Sequence, residues 1–269
     1  AEMTGYQEVV TDPSFCGQIV CFTAPMIGSY GVADHRSESP RPHARAVVMR
    51  EARGPEWTDW LHDRCIPALT GIDTRALTQR IRVHGAMLGR IEIGATPVPA
   101  FEDPNARNLA AEVSTPSEKR YGRGVPLVLV DCGRKNNQIR MLVDRGAEVR
   151  VVPWNEPLAK RRRDFAGVVL SNGPGDPTQA AATIETVRLL MRQRVPILGI
   201  CLGHQLLALA AGASTYKMKF GHRSHNQPSV ETVSQRCYQT SQNHGYAVAG
   251  ETPPDRWLEG FVKAHDGTN

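Results

Sequence analysis

Six apolar residues, Val195-Pro-Ile-Leu-Gly-Ile200, run straight through Cys201 into the helix-forming stretch LGHQLLALAA at residues 202–211, leaving the chain few ways to fold. The first part has the length and composition of a strand buried in a sheet. The second favours helix throughout, and Gly212 stands where a helix C-cap belongs. A strand that enters a helix through Gly199-Ile-Cys-Leu-Gly203 has to turn sharply at the cysteine. The glycines on either side allow that turn, which lifts the thiol clear of the sheet and over a helix N-terminus. The positive end of the helix dipole there is expected to favour the thiolate and lower the thiol pKa. The competing reading is a structural cysteine buried at a strand end.

From about residue 125 apolar strands alternate with amphipathic segments. Strands are expected at 125–131, 147–153 and 165–170, and helices at 137–145, closed by Gly146, and at 178–194. Strands joined by helices pair parallel through right-handed crossovers, so the fold class is α/β, a doubly wound, mostly parallel sheet. Ligands of such sheets sit beyond the carboxyl ends of the strands. The Cys201 bend and the turn Ser171-Asn-Gly-Pro-Gly-Asp-Pro177 both fall there, so two independent features meet on one rim. Beyond Gly212, short strands at 215–220, 237–241 and 246–249 are expected to form hairpins beside the sheet. Residues up to about 113 lack this rhythm. They are turn-rich, with one clear helix at 74–84 ending at Gly85, and read as a smaller α+β domain. The polar stretch 114–124 is the expected linker, which divides the chain into residues 1–122 and 123–269.

Composition narrows the function classes. Of 269 residues 41% are hydrophobic and 22% charged, the balance of a chain with a sizeable core, and no apolar run reaches membrane-spanning length. Six cysteines lie scattered without a C-x-x-C pair, which points to reduced thiols and a cytoplasmic setting. The net charge of +5 comes from basic residues interleaved with acidic ones. Even the run 160–163 (KRRR) is followed at once by Asp164, so a solvated or protein-docking surface is expected, not a nucleic-acid or membrane surface.

The Cys201 bend and the 171–177 turn resemble the nucleophile and oxyanion motifs of class I glutamine amidotransferases. Further stretches resemble one branch of that family, the small, glutamine-hydrolysing chain of carbamoyl-phosphate synthases. They are Lys217-Met-Lys-Phe-Gly-His222, Thr240-Ser-Gln-Asn-His-Gly-Tyr-Ala-Val248, Met3-Thr-Gly-Tyr-Gln-Glu8, Thr11-Asp-Pro-Ser14 and Gly71-Ile-Asp-Thr-Arg-Ala-Leu77. The resemblance implies Cys201 as nucleophile, with the backbone N–H groups of Leu202 and Gly173 as oxyanion hole. It implies that glutamine is held by Ser14, Gly173, Gly175, Leu202, Gln205, Asn243, Gly245 and Tyr246. It also implies a Cys thioester, release of ammonia, and a separate large chain that makes carbamoyl phosphate from bicarbonate and ATP for arginine and pyrimidine synthesis. ATP and Mg would belong to that partner, with no cofactor or metal in this chain.

One departure stands out. In the family, the general base and its orienting carboxylate come from a His-Pro-Glu motif downstream of the glutamine-contacting hairpin, and this sequence has none. A fragment truncated at both ends, with an incomplete triad, is therefore expected. The other histidines do not replace the base: His265 precedes a family turn at Asp266-Gly267, His204 is expected to point along its helix, and His244 suits packing or a partner contact. His222 and His225 lack a third metal ligand nearby, and the 172–176 turn lacks the Lys-Ser/Thr of a phosphate loop. Cys132, where the family commonly has an aromatic residue, is expected to be a packing change. Two alternatives remain: a non-catalytic docking or regulatory subunit, and an amidotransferase serving another synthase.

Overall fold

Short strands and long connections build the first unit. The computed structural model describes residues 4–92, 94, 100–250 and 257–268; Met3 of the 3–8 stretch and the final Asn269 lie outside the described residues. Helix α1 (Tyr6–Thr11) passes into a 3-10 turn, Pro13–Phe15, which Asp12 caps by accepting from Ser14 N at 2.9 Å. Of the strands β1 (Ile19–Cys21), β2 (Met26–Ile27), β3 (Ala46–Val48), β4 (Glu51–Ala52) and β5 (Ala68–Leu69), β1, β3 and β5 form a parallel sheet in that order. Strands β2 and β4 pair separately, also parallel. Helix α2 (Pro55–Asp63) starts on a proline, whose missing N–H has no partner to lose at that position. It buries Trp57, Trp60 and Leu61 against Tyr6, Val10, Ile27 and Met49. Helix α3 (Thr74–His84) has the bounds expected from sequence, because Asp73 Oδ1 accepts from Ala76 N and Gly85 ends it. Helix α4 (Leu109–Val113) follows, capped by Asn108.

After β6 (Lys119–Tyr121), the second unit alternates as its sequence predicts: β7 (Val125–Asp131), α5 (Asn136–Val143), β8 (Ala147–Pro153), β9 (Gly167–Leu170), α6 (Ala181–Arg192), β10 (Ile197–Gly199) and α7 (Leu202–Ala211). The sheet order is β10-β9-β7-β8-β6, parallel except for β6, which runs antiparallel to β8. Alternate residues face opposite sides. Val128, Val130, Val168 and Leu170 pack with Val187, Leu190, Leu202 and Leu206 of α6 and α7. Leu129, Val149, Val151 and Val169 pack with Ile139 and Leu142 of α5. Helices thus cover both faces, and the sheet is doubly wound.

Three expectations are corrected. The stretch read as a linker contains β6, and Thr115 N within it donates to Asp131 Oδ2 at 3.0 Å, so it is part of the second unit's structure. The strand before Cys201 is an edge strand, not a buried one: β10 pairs only with β9 among the described residues, and Leu198 is 57% exposed. The short strands after Gly212 are one long hairpin, β11 (Thr215–Glu231) with β12 (Cys237–Val248). Its register shifts between Lys217 and His222 and again between Ser224 and Gln227, and β13 (Phe261–Lys263) pairs along the other side of β11. In the basic run, Arg161 is held by Glu118 at 2.8 Å, Glu156 at 3.0 Å and Asp164 at 3.4 Å, a local ion network. No helix among the described residues is long and apolar enough to cross a membrane.

Burial separates two leucines that the sequence places alike in apolar strands. Leu129→Ala should lower stability by about 2–5 kcal/mol, because it empties a fully buried site. Leu198→Ser should change it by less than about 0.5 kcal/mol. Urea unfolding of both variants checks the contrast, and an equal loss would mean that β10 is covered.

Candidate active site

Backbone contacts too close for any side chain fix the bend at the end of β10. A Cβ on Gly199 would lie 2.5 Å from Gly203 O, and one on Gly203 would lie 2.3 Å from Leu170 O. Helix α7 therefore starts in direct contact with β9, and Gly203 N donates to Ser171 O at 3.0 Å. Between these glycines Cys201 takes φ 55° and ψ −108°, a conformation that costs a non-glycine residue about 1–3 kcal/mol. The bend expected from sequence is present.

The 171–177 turn lies against it. A Cβ on Gly173 would fall 2.0 Å from Cys132 O and 2.7 Å from Leu202 Cδ2, so only glycine brings this backbone up to the start of α7. Among the described residues Gly173 N–H has no hydrogen-bond partner. Leu202 N–H acts directly on the thiol, and the Gly173 backbone packs against the Leu202 side chain next to it. Gly175, at φ +85°, is turned toward α4, where its Cβ would meet Leu109 at 3.3 Å.

The hairpin closes the other side. Cys201 Sγ donates weakly to Asn243 O at 3.6 Å, and Gln205 Nε2 donates to Tyr246 O at 2.7 Å. Arg223 Nη1 donates to Asn243 Oδ1 at 2.5 Å, and a Cβ on the neighbouring Gly245 would lie 3.5 Å from Arg223 Nη2. Tyr246 also lines an open cleft of about 480 Å³ with Asp103, Asp176, Thr178 and Lys217. Burial pushes its phenol up to about 12, and the carboxylates of Asp176 and Asp103 add to the shift.

The first unit reaches this rim through buried polar groups. Asn172 Nδ2 donates to Ser14 Oγ at 2.8 Å, and Lys135 Nζ pairs with Asp12 Oδ2 at 2.9 Å. Asp12 is only 1% exposed. Beside this pair, Asn136 N donates to Glu38 O at 2.8 Å and Asn137 N to Glu38 Oε2 at 2.9 Å. The rim thus gathers Ser14, Gly173, Cys201, Leu202, Gln205, Asn243, Gly245 and Tyr246 from both units, with Gly175 at its margin.

The electrostatics reverse one expectation. Burial pushes the Cys201 thiol up to about 11, outweighing the Leu202 N–H that pulls it down. Asp12 raises it further, while Lys135 and Arg223 lower it. A helix N-terminus alone does not offset the desolvation of a thiolate that lacks a protonated partner. Burial also opposes charge on Lys135, but the Asp12 and Glu38 carboxylates raise its pKa overall.

The histidines are engaged elsewhere. His222 Nε2 lies 2.8 Å from Asp266 Oδ2, its Nδ1 lies 3.3 Å from His244 Nε2, and His244 Nδ1 lies 2.7 Å from Tyr246 O. His244 therefore braces the segment that the resemblance assigns to glutamine. Its partner His222 points to Asp266 and not to His225, and among the described residues no group of three or more His, Cys, Asp or Glu side chains is placed to hold a metal. Cys132 is fully buried, and burial drives its thiol up to about 12, as suits a packing residue.

Sequence reasoning missed Asp12, Lys135 and Arg223. Lys135 follows a strand's carboxyl end and Asp12 lies in the Thr11–Ser14 stretch, signals that mark the rim but not the pairing. Arg223 carried no signal.

Residues 128–269 match the model of class-I glutamine amidotransferases, and residues 1–91 match the CPSase domain of the carbamoyl-phosphate synthase small chain. The chain is similar to the carbamoyl phosphate synthase arginine-specific small chains of Candida albicans, at 41% identity over 99% of this chain and 69% of that one, and of Aspergillus niger, at 42% over 99% and 64%. It thus spans about two thirds of the length of these relatives. Among solved structures, a glutamine amidotransferase from Thermotoga maritima aligns with TM-score 0.44 at 18% identity, covering 53% of this chain and 68% of that one.

A thiol raised to about 11 is protonated at neutral pH, so alkylation of Cys201 by iodoacetamide in this chain should quicken about tenfold per pH unit from pH 7 to about pH 10. Peptide mass spectrometry reads the rate. A plateau already reached by about pH 8 would show that the helix N-terminus prevails after all.

Proposed function

Because the chain belongs to the family of carbamoyl-phosphate synthase small chains, with their class-I glutamine amidotransferase domain, we propose that it hydrolyses L-glutamine at Cys201 and delivers the ammonia to a separate large chain. That partner makes carbamoyl phosphate from bicarbonate and ATP, for arginine and pyrimidine synthesis, and holds the ATP and Mg. The observation that carries the proposal is the Cys201 bend with the Gly173 and Leu202 donors beside it.

Glutamine's carboxamide carbon meets Sγ, and its carbonyl oxygen turns toward the two backbone N–H groups. As the C–S bond forms, that oxygen gains negative charge, and each donor lowers the barrier by about 3–4 kcal/mol. The C–N bond then breaks, ammonia leaves with the proton taken from the thiol, and a thioester remains. Water attacks the thioester, glutamate departs, and Sγ regains its proton. Ser14, Gly175, Gln205, Asn243, Gly245 and Tyr246 hold the substrate through both steps.

A thiol this hard to ionise needs a base at Sγ. Its present partner is a carbonyl, Asn243 O, which cannot take the proton. In this reading the base and its carboxylate come from the family's His-Pro-Glu motif, and docking of the large chain completes a route that keeps ammonia from water. The free cysteines suit the cytoplasm.

The test uses the complete small chain assembled with its large chain. Cys201→Ser should reduce glutamine-dependent carbamoyl phosphate formation by about 10³-fold or more, while added ammonia still supports it. Unchanged glutamine-dependent synthesis would leave a docking role only. If ammonia too fails to support synthesis, the division of labour between the chains is wrong.

A further inference from the structure

Arg223 of β11 stands opposite Asn243 of β12 in the hairpin register, and the guanidinium donates to Asn243 Oδ1 at 2.5 Å. A guanidinium has donors only. The contact therefore settles which end of the Asn243 amide faces it: Oδ1 is taken, and the two N–H of Nδ2 are left over. Among the described residues Nδ2 has no protein partner. The main-chain oxygen of the same residue lies 3.6 Å from Cys201 Sγ, so the residue that carries this unused donor borders the nucleophile.

Glutamine bound with its carboxamide at Sγ presents two further groups: an α-carboxylate, which only accepts, and an α-ammonium, which only donates. Gln205 is fixed in the opposite sense from Asn243. Its Nε2 is spent on Tyr246 O, which leaves Oε1, an acceptor suited to the ammonium. Asn243, which borders the thiol, and Gln205, one turn along α7 from it, thus carry amides of opposed polarity, and each owes its polarity to a neighbour.

We propose that Arg223 is a positioning residue that fixes Asn243 as the hydrogen-bond donor to the α-carboxylate of glutamine. The inference rests on the amidotransferase reading and adds to it the device that orients the substrate. Without Arg223 the Asn243 amide turns freely, and in half of its orientations a carbonyl oxygen would face the carboxylate. The contact with the carboxylate is the same before and during reaction, so the effect falls on substrate binding and leaves the chemical step alone.

The experiment again uses the complete small chain with its large chain, measuring glutamine-dependent ammonia release. Arg223→Met should raise the glutamine KM about tenfold and alter kcat by less than about twofold. Arg223→Lys keeps a donor for Oδ1 and should recover at least about half of that loss on a logarithmic scale. In an Asn243→Ala background, Arg223→Met should add less than about twofold, since the group it acts through is gone. A full tenfold rise persisting in that background would overturn the proposal, as would an unchanged KM in the single variant or a loss carried by kcat. A wild-type complex that releases no ammonia from glutamine would instead overturn the amidotransferase reading, and this inference with it.

Discussion

Everything at the rim depends on how closely two backbones approach, that of Gly203 at the start of α7 and that of Leu170 at the end of β9. No side chain fits between them. The contact sets the height of the helix over the sheet and, with it, the position of the thiol. It also packs the first turn of α7 closely enough that partial burial of the sulfur disfavours its thiolate. Geometry and reactivity therefore pull in opposite directions: the bend that presents Cys201 to a substrate is the same packing that keeps it protonated.

Much of the second unit was legible in the sequence, for reasons that can be stated residue by residue. The strands at 125–131 and 147–153 matched to the residue: the first is a run of branched apolar side chains after Gly124, and the second alternates apolar with charged residues after Gly146. Helix α3 matched as well, since Asp73 and Gly85 mark its two ends. Gly221 and Pro228 read as breaks, yet the hairpin absorbs both: the register shift between Lys217 and His222 spans the glycine, and the proline keeps its place opposite Gln239. Strand β6 reads as linker because an edge strand with exposed faces can be polar, and β10 reads as buried because an apolar run does not say how many neighbours it has.

The candidate site was legible where a motif is continuous along the chain and illegible where it is assembled across it. The Gly199–Gly203 bend and the 171–177 turn announce themselves. Asp12 with Lys135, and Arg223 with Asn243, are separated by stretches of chain that no local pattern spans. Charge placement is the part of the site that only folding reveals, and here it decides the polarity of the Asn243 amide.

The buried contact between Asp12 and Lys135 has a bearing on how such chains can be recombined. A carboxylate enclosed at the junction of the two units tolerates only a companion of opposite sign, and Ser14 beside it likewise matches Asn172. Neither unit is then a free module. A chimera that joined this amidotransferase half to the first half of a distant relative would have to inherit both sides of that junction together, or strand an anion where water cannot reach it.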